Sequence, residues 1–244
     1  MHIESEAIII KAFKFQESSL IVDCFTENHG IVRGLIKSKR KIAEIMPISL
    51  VYIIHKARLP EQLGYLQIET IRNYLSLLGF SRVKLKIVNC ILAILVKILH
   101  EGDKHPLLYN ELKKFLEVLQ NSNSDLDSLK SYALLELRVL AETGYGLDLT
   151  KCVVSKTKEN LIYISPKSGC AVSAKEGEQY SDKLLKMPEF YLDHTIAGNK
   201  NSVRLALEVS QLFLQRCIFE ASNSPMPYER MTLTQEIDGM VESL

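Results

Sequence analysis

Apolar and polar positions alternate with two different periods along this chain, and the period changes near Leu75. Before that point the pattern is short-range. Glu6 to Phe15 reads as a first strand, with Lys11, Phe13 and Phe15 set against Ala12 and Lys14. Leu20 to Phe25 and Ile31 to Ile36 are two further apolar runs. Thr26-Glu27-Asn28-His29-Gly30 lies between them and carries residues suited to a tight turn, so the pair reads as a β-hairpin. Pro47 to Lys56 is nearly all apolar, as expected of a strand covered on both faces. Gly64 to Arg72 alternates as a fifth strand. Five short strands in sequence, with no long helix between them, predict a small barrel or sandwich. A five-stranded OB-fold is the natural candidate, and an SH3-like barrel fits the same count.

Beyond Leu75 the period becomes helical. Ser81 to His100 is apolar almost all round, which predicts a buried helix. Leu107 to Leu119 and Leu126 to Thr143 follow as helices. Ser124 to Asp127 resembles a capping box at the start of the latter, and Gly144 and Gly146 stop it. Leu147 to Gly177 is turn-rich, with a strand expected at Leu161 to Ser165. Tyr180 to Lys186 reads as a brief helix and Asn201 to Ser222 as a long one. The tail after Pro225 and Pro227 is polar and reads as loose. The fold class is therefore α+β and multi-domain: residues 1–78 as the barrel, then residues 79–244 as a mainly α-helical domain with a small insert at 147–177.

Composition narrows the function. Hydrophobic residues make up 47% of 244, enough for a sizeable core. Thirty basic and 29 acidic side chains leave a net charge of only +1, so any polyanion site must be a local asymmetry. One exists. Between Ile31 and Pro60 stand seven cations, Arg33, Lys37, Lys39, Arg40, Lys41, Lys56 and Arg58, against the single acid Glu44, a local +6. These seven are the candidate DNA-binding residues. The competing reading is a solvated loop, with strand-end cations guarding sheet edges. Phe13, Phe15, Phe25 and Tyr65 are candidates for stacking on bases, weighed against a place in the barrel core. Few aromatics and no Trp predict binding through phosphates, blind to sequence.

Five scattered cysteines with no CxxC argue against a disulfide framework and fit a reducing compartment. MHIESEAIII places acids ahead of its apolar run and is not read as a secretory signal. The longest apolar stretch contains Lys86, Asn89 and Lys97 and is short for a membrane span, so no membrane association is expected. Six dispersed histidines and the absence of nucleotide-loop or nucleophile-elbow motifs predict no enzyme and no cofactor.

Several segments, in order, resemble the RecO family of bacterial recombinational-repair proteins. They are Glu17-Ser18-Ser19-Leu20-Ile21-Val22, Phe25-Thr26, His29-Gly30, Val32-Arg33-Gly34, Lys56-Ala57-Arg58-Leu59 and Leu63-Gly64. Further on come Leu135-Glu136-Leu137-Arg138, Thr143-Gly144-Tyr145-Gly146-Leu147-Asp148-Leu149, Cys152 and Tyr163-Ile164-Ser165-Pro166-Lys167-Ser168-Gly169. The resemblance implies an amino-terminal OB-fold and a carboxy-terminal helical domain. It implies binding of single- and double-stranded DNA, annealing of complementary strands, and a mediator role in the bacterial cytoplasm and nucleoid. The implied partners are RecR, the carboxy-terminal tail of single-stranded DNA-binding protein, and indirectly the RecA recombinase. For that tail, Arg138 and Lys113 or Lys114 are candidates, against a simple role as exposed helix cations.

Many members carry zinc on two CxxC pairs in the insert. Here the first pair reads Cys152-Val153-Val154-Ser155 and the second falls near Ser173-Ala174-Lys175-Glu176. One ligand of four survives, and no zinc is expected. The sequence resembles the zinc-less branch of the family. A second reading of the chain remains, a protein-interaction scaffold with an OB- or SH3-like adaptor barrel and no DNA.

Overall fold

The computed structural model describes residues 1–37, 45–59, 62–78 and 81–241. Two compact units emerge: Met1–Ser81 with Leu92–Gln120, and Arg82–Ile91 with Asn121–Leu244.

The first unit is built on five strands: β1 His2–Gln16, β2 Ser19–Thr26, β3 Gly30–Lys37, β4 Ser49–Lys56 and β5 Gly64–Asn73. Their pairings run β1–β2–β3–β5–β4 and return to β1. β3 and β5 are parallel and every other pair is antiparallel. This barrel is the OB-fold, and the order settles the choice that strand count alone leaves open.

The period-2 alternation has its expected consequence. Ile3, Ala7, Ile9, Leu20, Val22, Cys24, Val32, Ile36, Val51, Ile53, Leu66 and Ile68 turn inward as one core. Gly30 takes φ +65° in the β2–β3 turn, and a Cβ there would lie 2.2 Å from the Asp103 carbonyl oxygen, so only glycine fits. Thr26 Oγ1 clamps the same turn, accepting from His29 N at 3.0 Å and donating to Gly30 O at 2.9 Å.

The strand buried on both faces is β2, whose eight residues are all covered, and not β4, where Tyr52 and Lys56 are exposed. Hydrophobicity misleads here because β2's outward residues are hidden by neighbours of mixed chemistry. Asp23 lies under Arg33, and Phe25 meets Tyr109 edge-on with 5.6 Å between ring centroids.

Helix α1 runs Arg82–Ile98, with its residues from Leu92 onward in the first unit. α2, Pro106–Asn121, also belongs to that unit. It buries Leu108, Leu112, Phe115, Leu116 and Leu119, and ties Lys113 to Glu6 at 3.1 Å and Asn110 to Glu27 at 2.8 Å.

In the second unit α3 spans Asp125–Glu142. Only half of its predicted capping box forms. Ser124 Oγ accepts from Asp127 N at 3.2 Å, but Ser124 N donates to Ser122 Oγ at 3.0 Å, because the shorter Asp side chain does not reach back. A small sheet orders β7–β6–β8 from β6 Leu161–Ile164, β7 Ala171–Ser173 and, after the single turn α4 Ala174–Gly177, β8 Leu185–Lys186. The helix expected over Tyr180 to Lys186 is therefore not one; that segment turns and pairs with β6. α5, Lys200–Phe213, starts on a full capping box between Asn199 and Ser202 and widens into π geometry over Leu214–Glu220.

The tail is not loose. α6, Tyr228–Met231, and α7, Leu233–Val241, bury Leu233, Ile237 and the whole of Arg230. Arg230 Nη2 donates to Glu136 Oε2 at 3.0 Å, to Leu207 O at 2.8 Å and to Ser210 Oγ at 3.0 Å. Tyr132 donates to the same carboxylate. A polar tail folds down because a buried carboxylate on α3 needs this counter-charge.

Candidate nucleic-acid interface

Side chains directly opposite each other in a sheet share a face, so register alone assembles the barrel's outer surface. One row runs across all five strands: Phe13 opposite Ile21, Ile21 opposite Leu35, Leu35 opposite Tyr65, and then Lys56 on β4 opposite Tyr65. Its two aromatics are open to solvent, Phe13 at 40% and Tyr65 at 56% exposure, while Ile21 is buried between them. Lys11 Nζ stands 5.4 Å from the Phe13 ring. Lys37 Nζ stands 4.9 Å from the Tyr65 ring and donates to its hydroxyl at 3.1 Å. Phe15 is exposed near a bulge in β1, whereas Phe25 is core. Three of the four candidate aromatics are thus on the surface, and two have an ammonium group beside the ring. Such an array can stack bases on the rings and hold phosphates at the lysines.

The adjoining row places Lys11 opposite Asp23 and Asp23 opposite Arg33. Arg33 grips Asp23 with two bonds, Nε to Oδ1 at 2.6 Å and Nη2 to Oδ2 at 2.9 Å, and reaches Glu101 at 3.1 Å. The hydrogen bonds to Asp23 raise the guanidinium pKa further, against a smaller opposing effect of burial. Arg33 therefore meets the site as a neutralised cation. Lys37, Lys56 and Arg58 are exposed. Lys39, Arg40 and Lys41 lie outside the described residues. Register brings Lys37 and Lys56 to the two sides of Tyr65, a neighbourhood created by the parallel β3–β5 pairing. Lys11 joins this adjoining row, and the bulge between Ile9 and Lys11 fixes its face.

Of the cations considered for an acidic peptide, Lys113 is paired with Glu6 and Lys114 sits 3.6 Å from Glu111, both in the first unit. Arg138 belongs to the second and is half-buried.

The turn-rich insert keeps its shape around one sulfur. Cys152 N donates to Thr157 O at 2.7 Å, Lys156 N to Cys152 O at 3.0 Å, and Ser173 N to Cys152 Sγ at 3.3 Å. Burial opposes ionisation of the Cys152 thiol. Hydrogen bonds from the backbone and hydroxyls of Ser155 and Ser173 outweigh it and draw the pKa down to about 6. One thiol and two serines do not fit a closed zinc site, which needs four Cys or His donors. Among the described residues no group of three or more His, Cys, Asp or Glu is placed to hold a metal. Among them, too, no helix is long and apolar enough to cross a membrane.

The family model for the amino-terminal domain of recombination protein O matches residues 1–74, and that for its carboxy-terminal domain matches residues 80–224. The chain is 37% identical over 233 residues to the DNA repair protein RecO of Wolbachia pipientis wMel, covering 93% of this chain and 96% of the relative. It is 33% identical over 221 residues to the DNA repair protein RecO of Rickettsia conorii, covering 90% and 92% respectively.

Proposed function

Since the chain belongs to the RecO family, we propose that it is a DNA-repair and recombination mediator that binds DNA through the outer face of its barrel. It has no catalytic chemistry of its own in this reading. It holds single and double strands by their phosphates without reading sequence, and anneals complementary strands because the bases stay free to pair. RecR, the tail of single-stranded DNA-binding protein and, through them, RecA are its proposed partners, at the bacterial nucleoid.

One observation carries this reading: the exposed row of Phe13 and Tyr65 with Lys11, Lys37 and Lys56 beside it. The Phe13 and Tyr65 rings stay open to water in the free protein. Stacked bases would cover them, at about 1–3 kcal/mol each.

The test is a salt titration of binding to mixed-sequence single- and double-stranded oligonucleotides. Reversing Lys37, Lys39, Arg40, Lys41 and Lys56 to Glu should weaken both and flatten the salt slope, by about 0.7 per lost contact on single strands. Phe13→Ala with Tyr65→Ala should weaken single-strand binding about tenfold or more while leaving duplex binding near its original value. Unchanged affinities in both variants would remove the barrel face from the DNA footprint.

A further inference from the structure

We propose that the mouth of the barrel is a pocket for one unstacked nucleobase of a bound single strand. The inference rests on the DNA-binding reading above and adds to it a site for a base, where the outer face holds phosphates and stacks.

The pocket is a cavity of about 320 Å³ in the first unit, at the small end of the usual range for ligand sites. Ile3, Val32 and Leu63 give it apolar walls, and His55 and Gln62 give it polar ones. His55 is the unusual member. It faces inward from β4 at 5% exposure, and neither ring nitrogen makes a hydrogen bond of good geometry, although the Arg33 backbone lies close enough to act on the ring. A buried imidazole left in that state is destabilising, and an aliphatic side chain would fill the same position at no such cost.

The surroundings keep the ring where it is. A Cβ at Gly64 would lie 2.3 Å from Nε2, and one at Gly34 would lie 3.2 Å from Cδ2. Two glycines facing each other in paired strands weaken a sheet, yet they leave the space that the imidazole occupies. Burial lowers the His55 pKa, while the Arg33 backbone works weakly the other way. The ring is thus neutral near pH 7 and offers one donor and one acceptor, the same complement as the pairing edge of a base.

Charge argues for a base over a phosphate. The Arg33 guanidinium at the rim is already held by Asp23 and Glu101, and the Glu101 carboxylate lines the same cavity. An anion would meet that carboxylate, and the Met1 ammonium that also borders the cavity is already donating to Ala57 O at 2.7 Å. A neutral planar ring meets apolar walls, and a small shift of the His55 ring would open its covered nitrogens to it. The location fits as well: His55 and Gly64 face inward, and their chain neighbours Lys56 and Tyr65 are the outward pair that closes the stacking row. A strand held along the row passes the rim.

The experiment uses the full chain and two readouts. In the first, thymidine is added at millimolar concentration while the His55 ring signals are followed by NMR, with inorganic phosphate at matched ionic strength as the comparison. Thymidine should shift them saturably and phosphate should not. In the second, His55→Leu is titrated with dT12. Its affinity should fall about tenfold with the salt slope unchanged, since a hydrogen bond is lost and no phosphate contact. The melting temperature should hold or rise, because an unpaired polar group has been removed. Undiminished dT12 binding by a folded His55→Leu protein overturns the proposal, as does an equal response to phosphate. Should the variant not fold, the NMR comparison decides. If the wild-type chain binds no dT12 at all, the DNA-binding reading fails and this one falls with it.

Discussion

Two arginine–carboxylate pairs, Arg33–Asp23 in the barrel and Arg230–Glu136 in the carboxy-terminal unit, share a bidentate geometry and differ in what surrounds them. Side-chain exposure is 42% and 5% for the first pair and 0% for both members of the second. The Arg33 head still touches water, and its third nitrogen reaches the exposed Glu101. Every direction around Arg230 is taken, by Glu136, Leu207 O, Ser210, Gln211 and Thr234. The same two chemical groups therefore do different work. One sits on a surface where a phosphate can compete for it. The other is committed to holding α6 against α3 and α5, and has no valence left for a ligand.

Three changes break or sharpen that contrast. The largest effect is expected from Arg230→Met, which strands Glu136 as a buried charge without a counter-ion. The second unit should lose about 3–5 kcal/mol in urea unfolding, and adding Glu136→Gln should return part of it. A loss under about 1 kcal/mol would mean the pair is not the centre of that unit.

Next comes the Cys152 thiol, also in the second unit. Its thiol pKa lies below the ordinary 9.0, at about 6, because Ser155 and Ser173 hydrogen-bond to the thiolate. For an acid depressed on folding, the unfolded state binds more protons between the two values, so stability rises with pH there. The gain should be complete above about pH 9 and lost as the pH falls through about 6. Unfolding midpoints measured across that window should rise for the native chain and stay level for Cys152→Ala.

The smallest effect belongs to the half-exposed pair, Arg33 with the buried Asp23. Asp23→Asn should cost about 1 kcal/mol or less, since the amide keeps a bond to Arg33. It also frees the guanidinium, and the salt slope for single strands should steepen by about 0.7 if a phosphate takes Asp23's place. A slope identical to that of the native chain would place Arg33 outside the footprint.

Much of this was legible in advance, and where it failed the cause was distance along the chain. The five strands follow from alternation, and the RecO resemblance from ordered segments that match two family models. Even the Arg33–Asp23 pair was within reach. Thr26 opposite Gly30 fixes the hairpin, and stepping back three residues on each strand sets Asp23 opposite Arg33. Counting Arg33 as a free cation overlooked that register. Tyr65 beside Lys37 could not be found this way, because the parallel β3–β5 pairing joins segments with no turn between them to set their alignment. The tail was misread for a related reason. α6 and α7 are too short to show a period, and their order comes from Arg230 meeting Glu136 far upstream. β7 and β8, at three and two residues, are below what alternation can reveal.

β1 is hydrogen-bonded to β4 along its first half and to β2 along its second, with Ala7 and Ile8 paired on both sides. The hairpin of β2 and β3 needs only a short excursion of chain to form, whereas His2 must find Lys56. Closing that long excursion costs more chain entropy than closing the hairpin, so the β1–β4 seam is expected to form after it. Until it is sewn, the unpaired half of β1 is a sticky ribbon for other copies, and assembly at low concentration becomes the favourable route to native protein.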